Sequence, residues 1–217
     1  MNKMLLGVVC AILSFAGLGG EALQAQRLNG SIYLDGKLDE PAWQKAPVYT
    51  RFFKAGTQTP ARSRTEVRIL FDLNALYVGI RCSEPAIHEL VVRDTPRDGG
   101  LYQQDCLEIM LDPGVSKERY YHFMVNAAGQ QYDAFREQGG GIQNPFWNGV
   151  WTAKTFIGKD FWSCEIRIPF FNFSSRDASS GDWGINVCRG QRTNPREDSS
   201  FSGEYHKMDK FLTVKGI

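Results

Sequence analysis

Alternation at every second residue limits this chain more than any other feature. Val67, Ile69 and Phe71 alternate with Glu66, Arg68 and Leu70, and Leu76, Val78, Ile80 and Cys82 alternate with Tyr77, Gly79 and Arg81. Leu107, Ile109 and Leu111 stand out of phase with Cys106, Glu108 and Met110, as Tyr121, Phe123 and Val125 do with His122, Met124 and Asn126. Successive strand side chains point to opposite faces, so this pattern specifies sheets with one buried face. Further strands are expected at 131–135, 151–157, 161–168 and 184–189. Turn chemistry separates them, at Asp72-Leu73-Asn74, Asp112-Pro113-Gly114, Ala128-Gly129 and Gly158-Lys159-Asp160. Two hairpins follow, 121–126 with 131–135 and 151–157 with 161–168. The helix signals are short. The clearest is Pro41, which follows Asp39 and Glu40 and opens 41–46 in the order a capped helix uses. Many short strands without long intervening helices specify an all-β fold, an antiparallel β-sandwich with one or two short helices.

Charge excludes some partners. Lys and Arg total 25 against 24 Asp and Glu, a net charge of +1. This balance gives no electrostatic reason to expect nucleic acid or an anionic membrane. Residues 1–25 read as a secretory signal peptide, with Lys3, an apolar run from Met4 to Leu18 and small residues at Gly19, Gly20, Ala22 and Ala25. Cleavage is placed after Ala22 or Ala25, and a retained membrane anchor is the alternative. The expected locations are secreted, periplasmic or cell-surface. The remainder, 26–217, is about 190 residues, enough for a single core.

Cys82, Cys106, Cys164 and Cys188 lie inside strand-like runs. Two disulfides in any of three pairings, or four buried small hydrophobes, both fit. The sequence contains no C-x-x-C pair, so a zinc site is not expected. Asn29-Gly30-Ser31 and Asn172-Phe173-Ser174 match the N-glycosylation pattern. His88, His122 and His206 lie in no nucleophile or zinc motif. Asp105 and Glu108 are the nearest carboxylates that could act as a hydrolase pair, and no second partner stands at a readable position. No enzymatic activity is expected.

Seven segments occur in an order that carries a family resemblance: Ile32 to Ala46, Leu76 to Cys82, Asp105 to Pro113, Tyr121 to Gly129, Trp162 to Phe170, Trp183 to Arg189, and a closing His206 to Phe211. Together they resemble carbohydrate-binding module family 9, within the wider DOMON-like sandwich group. The resemblance implies a non-catalytic domain that binds xylan-like or cellulose-like saccharides in the service of polysaccharide catabolism, and the chain is expected to act either as a free-standing sugar-capture protein or as partner to a separate glycoside hydrolase. In that family the sugar lies between two aromatic rings. A pyranose has an apolar C–H face that stacks on an aromatic plane, and its hydroxyl edge needs directed donors and acceptors.

Residue by residue, the resemblance places Tyr102 as the first ring, where sugar-binding members carry Trp, and Glu108 as a polar contact six positions later. Phe201, or Tyr205 if the frame slips, is the second ring. Arg189 matches a binding-side arginine, and Asn126 is a further polar contact or a hairpin cap. Trp43, Trp151, Trp162 and Trp183 are assigned to the core, with Trp147 exposed. Structural Ca²⁺ on Asp35, Asp39, Asp105 or Asp112 is consistent with some relatives. Two other classes remain: b-type haem held by Met110 and His122, as in some DOMON-like domains, and a structural or adhesive surface module.

Overall fold

The computed structural model describes residues 22–174 and 181–217. All of the expected signal segment except Ala22 to Ala25 lies outside them. Among the described residues, fourteen strands form two sheets. The smaller sheet has the order β10-β11-β5-β4-β2, built from β2 (Gln26–Arg27), β4 (Thr65–Phe71), β5 (Ala75–Ser83), β10 (Thr152–Ile157) and β11 (Phe161–Pro169). The larger sheet is based on β6 (Cys106–Pro113), β7 (Tyr120–Asn126), β8 (Gln131–Glu137) and β12 (Asp182–Gln191). Its main order is β1-β14-β12-β6-β7-β8-β9, with β1 (Leu23–Gln24), β9 (Ile142–Asn144) and β14 (Leu212–Lys215) toward its edges. β13 (Glu197–Ser200) also pairs with β12, and β3 (Phe53–Lys54) pairs with β13.

Both expected hairpins form, and their registers pair Phe123 with Asp133 and Thr155 with Cys164. The sandwich is not wholly antiparallel. β1 joins β14 and β2 joins β4 in parallel, so the first described residues step from one sheet to the other.

The alternating residues meet between the sheets. Val67, Ile69, Leu76, Val78, Ile80, Leu107, Ile109, Phe123, Ile166, Ile185 and Val187 form one buried cluster. Cys82 and Cys164 lie in this cluster, whereas Cys106 and Cys188 lie on the outer face of the larger sheet. All four are buried free thiols, so the small-hydrophobe reading holds and the disulfide reading does not. Burial pushes all four thiols up, Cys82 to about 11.

Trp151, Trp162 and Trp183 pack in the central core as expected. Trp43 is equally buried but lies elsewhere. It sits on α1 (Pro41–Lys45) and covers the outer face of the smaller sheet with Leu38, Leu70 and Tyr77. Gly79 makes this possible: a Cβ there would lie 2.6 Å from Leu38 Cδ2 and 2.9 Å from Trp43 Cζ3. Trp147 is partly buried, 5.2 Å from the Tyr121 ring, and closes an open side of the sandwich.

Candidate functional site

The parity that fills the core also fixes what the larger sheet shows outward. With Leu107 and Ile109 inside, Glu108 turns out. With Tyr121 and Phe123 inside, Tyr120, His122 and Met124 turn out beside it, and Tyr132 and Arg136 follow on β8. Two segments rise over this face. One is the stretch before β6, with a 3₁₀ turn at Leu101–Gln103, and the other links β13 to β14 and carries Tyr205 and His206. Between them lies an open groove of about 510 Å³, whose lining includes Tyr102, Glu108, His122, Tyr132, Arg136 and Tyr205.

Each wall is anchored. Buried Asp105 accepts the amide of Val91 at 2.7 Å and that of Arg192 at 2.8 Å, which ties the pre-β6 segment to the end of β12. Arg192 then folds back over Gly190 and donates to the Tyr102 carbonyl at 2.8 Å and to Asp198 at 2.6 Å. A Cβ at Gly190 would lie 3.0 Å from the Arg192 guanidinium and 3.2 Å from Cys106 Sγ, so a larger residue would crowd this hub. Arg97 clamps the same segment to buried Asp133, which also accepts Trp151 Nε1 at 2.8 Å. Tyr102 is thereby held by its backbone, and the residue stays 59% exposed. Tyr205 is the opposite case. Its hydroxyl donates to the Arg189 carbonyl at 3.1 Å, and burial pushes its phenol well up.

The floor is polar. Glu108 Oε2 lies 2.8 Å from His122 Nε2. With an ionised Glu108 taking Nε2–H, His122 Nδ1 is left as a buried lone pair with no partner in the protein. His206 Nδ1 lies 2.8 Å from the Tyr120 hydroxyl, and its pKa is pulled down to about 4, first by burial and then by His122 and Arg136. The unfolded chain, with His206 titrating near its ordinary 6.5, binds more protons between those values, so stability falls as pH drops from 6.5 toward 4. Because His206 is an exposed residue, solvent screening holds the effect to about 1 kcal/mol between pH 7 and pH 5. Urea unfolding at both pH values is expected to show this loss in the parent and its absence in His206→Asn.

The structure brings together Tyr102, Glu108 and Tyr205 from the expected set, and it moves three others away. Phe201 is not a groove ring. It is 2% exposed and packs on Phe52 with centroids 4.8 Å apart, because the chain leaving β13 turns it inward. Arg189 shares the inward parity of Trp183, Ile185 and Val187. It is buried between the sheets, with Nη2 3.1 Å from Glu84 and 2.9 Å from the Ser83 carbonyl. Asn126 is fully buried and structural. Its amide donates to Gln104 and Gln130 at 2.9 and 2.6 Å, and its oxygen accepts the amides of Ala128 and Gln130.

Among the lining residues that the sequence reading did not place against a saccharide are His122, Tyr132, Arg136, Arg192 and His206. The haem geometry fails: Met110 and His122 are direct cross-strand partners on one face, so they cannot approach a haem from opposite sides. Three of the four calcium candidates already serve other partners. Asp105 and Asp112 accept backbone amides, Asp35 accepts the amide and ammonium of Lys37, and among the described residues no group of three or more His, Cys, Asp or Glu could hold a metal ion.

A β-sandwich whose larger sheet carries an open groove, walled by tyrosines and floored by charged and polar groups, is a ligand-binding module. Residues 34–190 match the family described as carbohydrate family 9 binding domain-like, and the chain belongs to that family, one of non-catalytic carbohydrate-binding domains. Comparison with curated proteins gives no match. Among solved structures, a Bacteroides uniformis protein whose given name proposes carbohydrate binding is 14% identical, with a TM-score of 0.71 over 91% of this chain and 99% of its own. A family 9 module from Caldicellulosiruptor kristjanssonii, solved with glucose, is 18% identical, with a TM-score of 0.63 over 90% of this chain and 95% of its own. The same module with cellotriose gives the same identity and score over 93% of its length. These likenesses support the fold.

Proposed function

We propose that the groove between Tyr102 and Tyr205 holds a pyranose ring of a β-linked plant-type saccharide, cellulose-like or xylan-like, without transforming it. One observation carries the reading: two tyrosines from separate segments line one groove with Glu108 on its floor. The exposed Tyr102 ring suits the C–H face of a sugar, and the Glu108 carboxylate accepts hydroxyl hydrogens. The glucose and cellotriose complexes of the Caldicellulosiruptor module support a glucose-like ring as occupant. Such a module serves polysaccharide catabolism outside the cell, either as a free-standing capture protein or beside a separate glycoside hydrolase. A structural or adhesive role is the outcome if no saccharide binds.

The test is calorimetry with cello- and xylo-oligosaccharides on the parent and on Tyr102→Ala. The parent is expected to bind, and the variant to lose about 1 kcal/mol or more of binding free energy. Its stability should change by less than about 0.5 kcal/mol, since the ring is largely exposed. Equal binding by both proteins would move the site away from this ring. The read-out is heat or mass, because none of the described residues lining the groove is a tryptophan.

Export is part of the same reading. Leu23 is buried and pairs with Val214, so removing a leader after Ala22 keeps β1 whereas removal after Ala25 strips it. The mature protein is expected to begin at Leu23, which mass spectrometry of the exported chain reads directly. A terminus at Gln26 would contradict this.

A further inference from the structure

The geometry points to an acidic saccharide as the preferred occupant of the groove, one whose ring carries a carboxylate as a uronic acid does, with Arg136 as the residue that reads it. The inference rests on the pyranose reading above and adds the charge of the ring.

The lining carboxylates each face a basic side chain. Asp198 lies 2.6 Å from Arg192, Glu108 lies 2.8 Å from His122, and Asp98 lies 3.9 Å from Arg97. Arg136 differs. Its Nη1 donates to the Gly140 carbonyl at 3.3 Å and its Nη2 to the Gln143 side-chain oxygen at 2.7 Å, and both acceptors are neutral. A guanidinium carries five N–H groups, so each terminal nitrogen keeps a second one, and Nε is buried with no acceptor in the protein. Among the described residues, Arg136 is the groove cation with no carboxylate within 4.0 Å.

A second observation marks the same groove as a binding site and bears on the hydroxyl edge of the ring. His122 is 3% exposed and lines the groove, and its Nδ1 lone pair has no donor in the protein, which a sugar hydroxyl can supply. A half-buried cation without counter-charge and a buried imidazole nitrogen without a partner both lie in a wall that is otherwise paired. Burying unmatched polar groups is costly, and a ligand that supplies the missing partners recovers that cost. A planar carboxylate with two oxygens is the group that a guanidinium fork matches best. The strand order β6-β7-β8 sets Arg136 two strands from Glu108, so hydroxyl and carboxylate contacts fall on different sides of the floor.

The experiment compares cellotriose with the trisaccharide in which each C6 is a carboxylate, by calorimetry at 20 and 500 mM NaCl. These ligands differ only at C6. The uronate form is expected to bind about tenfold tighter at low salt, and the preference to shrink at high salt as Arg136 is screened. Arg136→Gln is expected to bring the ratio of the two affinities to about one, and Arg136→Lys to retain part of it. Cellotriose binding as tightly as the uronate form, or a ratio unmoved by both salt and Arg136→Gln, overturns the acidic preference and leaves the pyranose reading standing. Failure of both trisaccharides to bind overturns both readings. If Arg136→Gln proves less folded by its melting temperature, the salt dependence of the parent's ratio decides.

Discussion

Replacing Glu165 with alanine is expected to lower stability by about 3–5 kcal/mol, a large share of the 5–15 kcal/mol that holds a domain together. Glu165 stands on β11, on the outer face of the smaller sheet, and is fully buried there. One oxygen accepts the amides of Asp35 and Gly36, both at 2.7 Å, and the other accepts Trp43 Nε1 at 2.7 Å. A single carboxylate therefore docks the segment that leads into α1 and orients the indole that covers Gly79. Alanine would leave three donors without acceptors, each worth about 1–3 kcal/mol if it stays dry. Partial hydration of the 34–36 turn keeps the sum below the full total. Glu165→Gln retains one acceptor oxygen and should lose less. Guanidinium unfolding of the three proteins measures the series, and a loss under about 1 kcal/mol for alanine would contradict this account of the staple.

Arg189→Met is expected to be comparably severe, at about 3–5 kcal/mol, for a different reason. Arg189 and Glu84 are each 1% exposed, and their ion pair closes one end of the sandwich. Removing the arginine strands a buried carboxylate whose remaining partners are the Thr193 hydroxyl at 2.9 Å and the Ala86 amide at 3.3 Å. Restoring balance by adding Glu84→Gln should recover much of the loss, because a matched neutral pair avoids the desolvation of two charges. The pair is imperfect as built, since Arg189 Nε has no acceptor in the protein. The same variants separate stability from recognition. An Arg189→Met protein that stays folded should bind saccharide as the parent does, because its side chain lies between the sheets. A double variant no more stable than the single one would contradict the assignment.

Much of the fold was legible in the sequence because periodicity is a local signal. Every long strand carried its own alternation, and Glu108 could be placed on the outer face because it is out of phase with Leu107 and Ile109. The two-residue strands β1, β2 and β3 were not legible, since two residues hold no period and pair only because a neighbouring edge is present. The parallel pairing of β1 and β2 was hidden for the same reason.

The site was legible in part. Tyr102, Glu108 and Tyr205 came from the family frame and meet in the groove. Arg189 came from the same frame, yet its shared parity with Ile185 and Val187 already argued for the inner face, and in this conflict parity was the better guide. Phe201 and Tyr205 could not be separated locally. β13 is polar and short, so whether the next aromatic turns inward depends on Phe52, nearly 150 residues earlier in the chain. Arg136 and Arg192 each stand just beyond a strand as read from sequence, and only the pairing order β12-β6-β7-β8 brings them to one floor.

The most direct measurement is a crystal structure of the protein with cellotriose or its C6-carboxylate form at saturating concentration. A sugar ring is expected about 4–5 Å from the Tyr102 ring and stacked on it, with a hydroxyl on Glu108 and Tyr205 on the other side. Saccharide density at another face with this groove empty, or none at saturation, would contradict it.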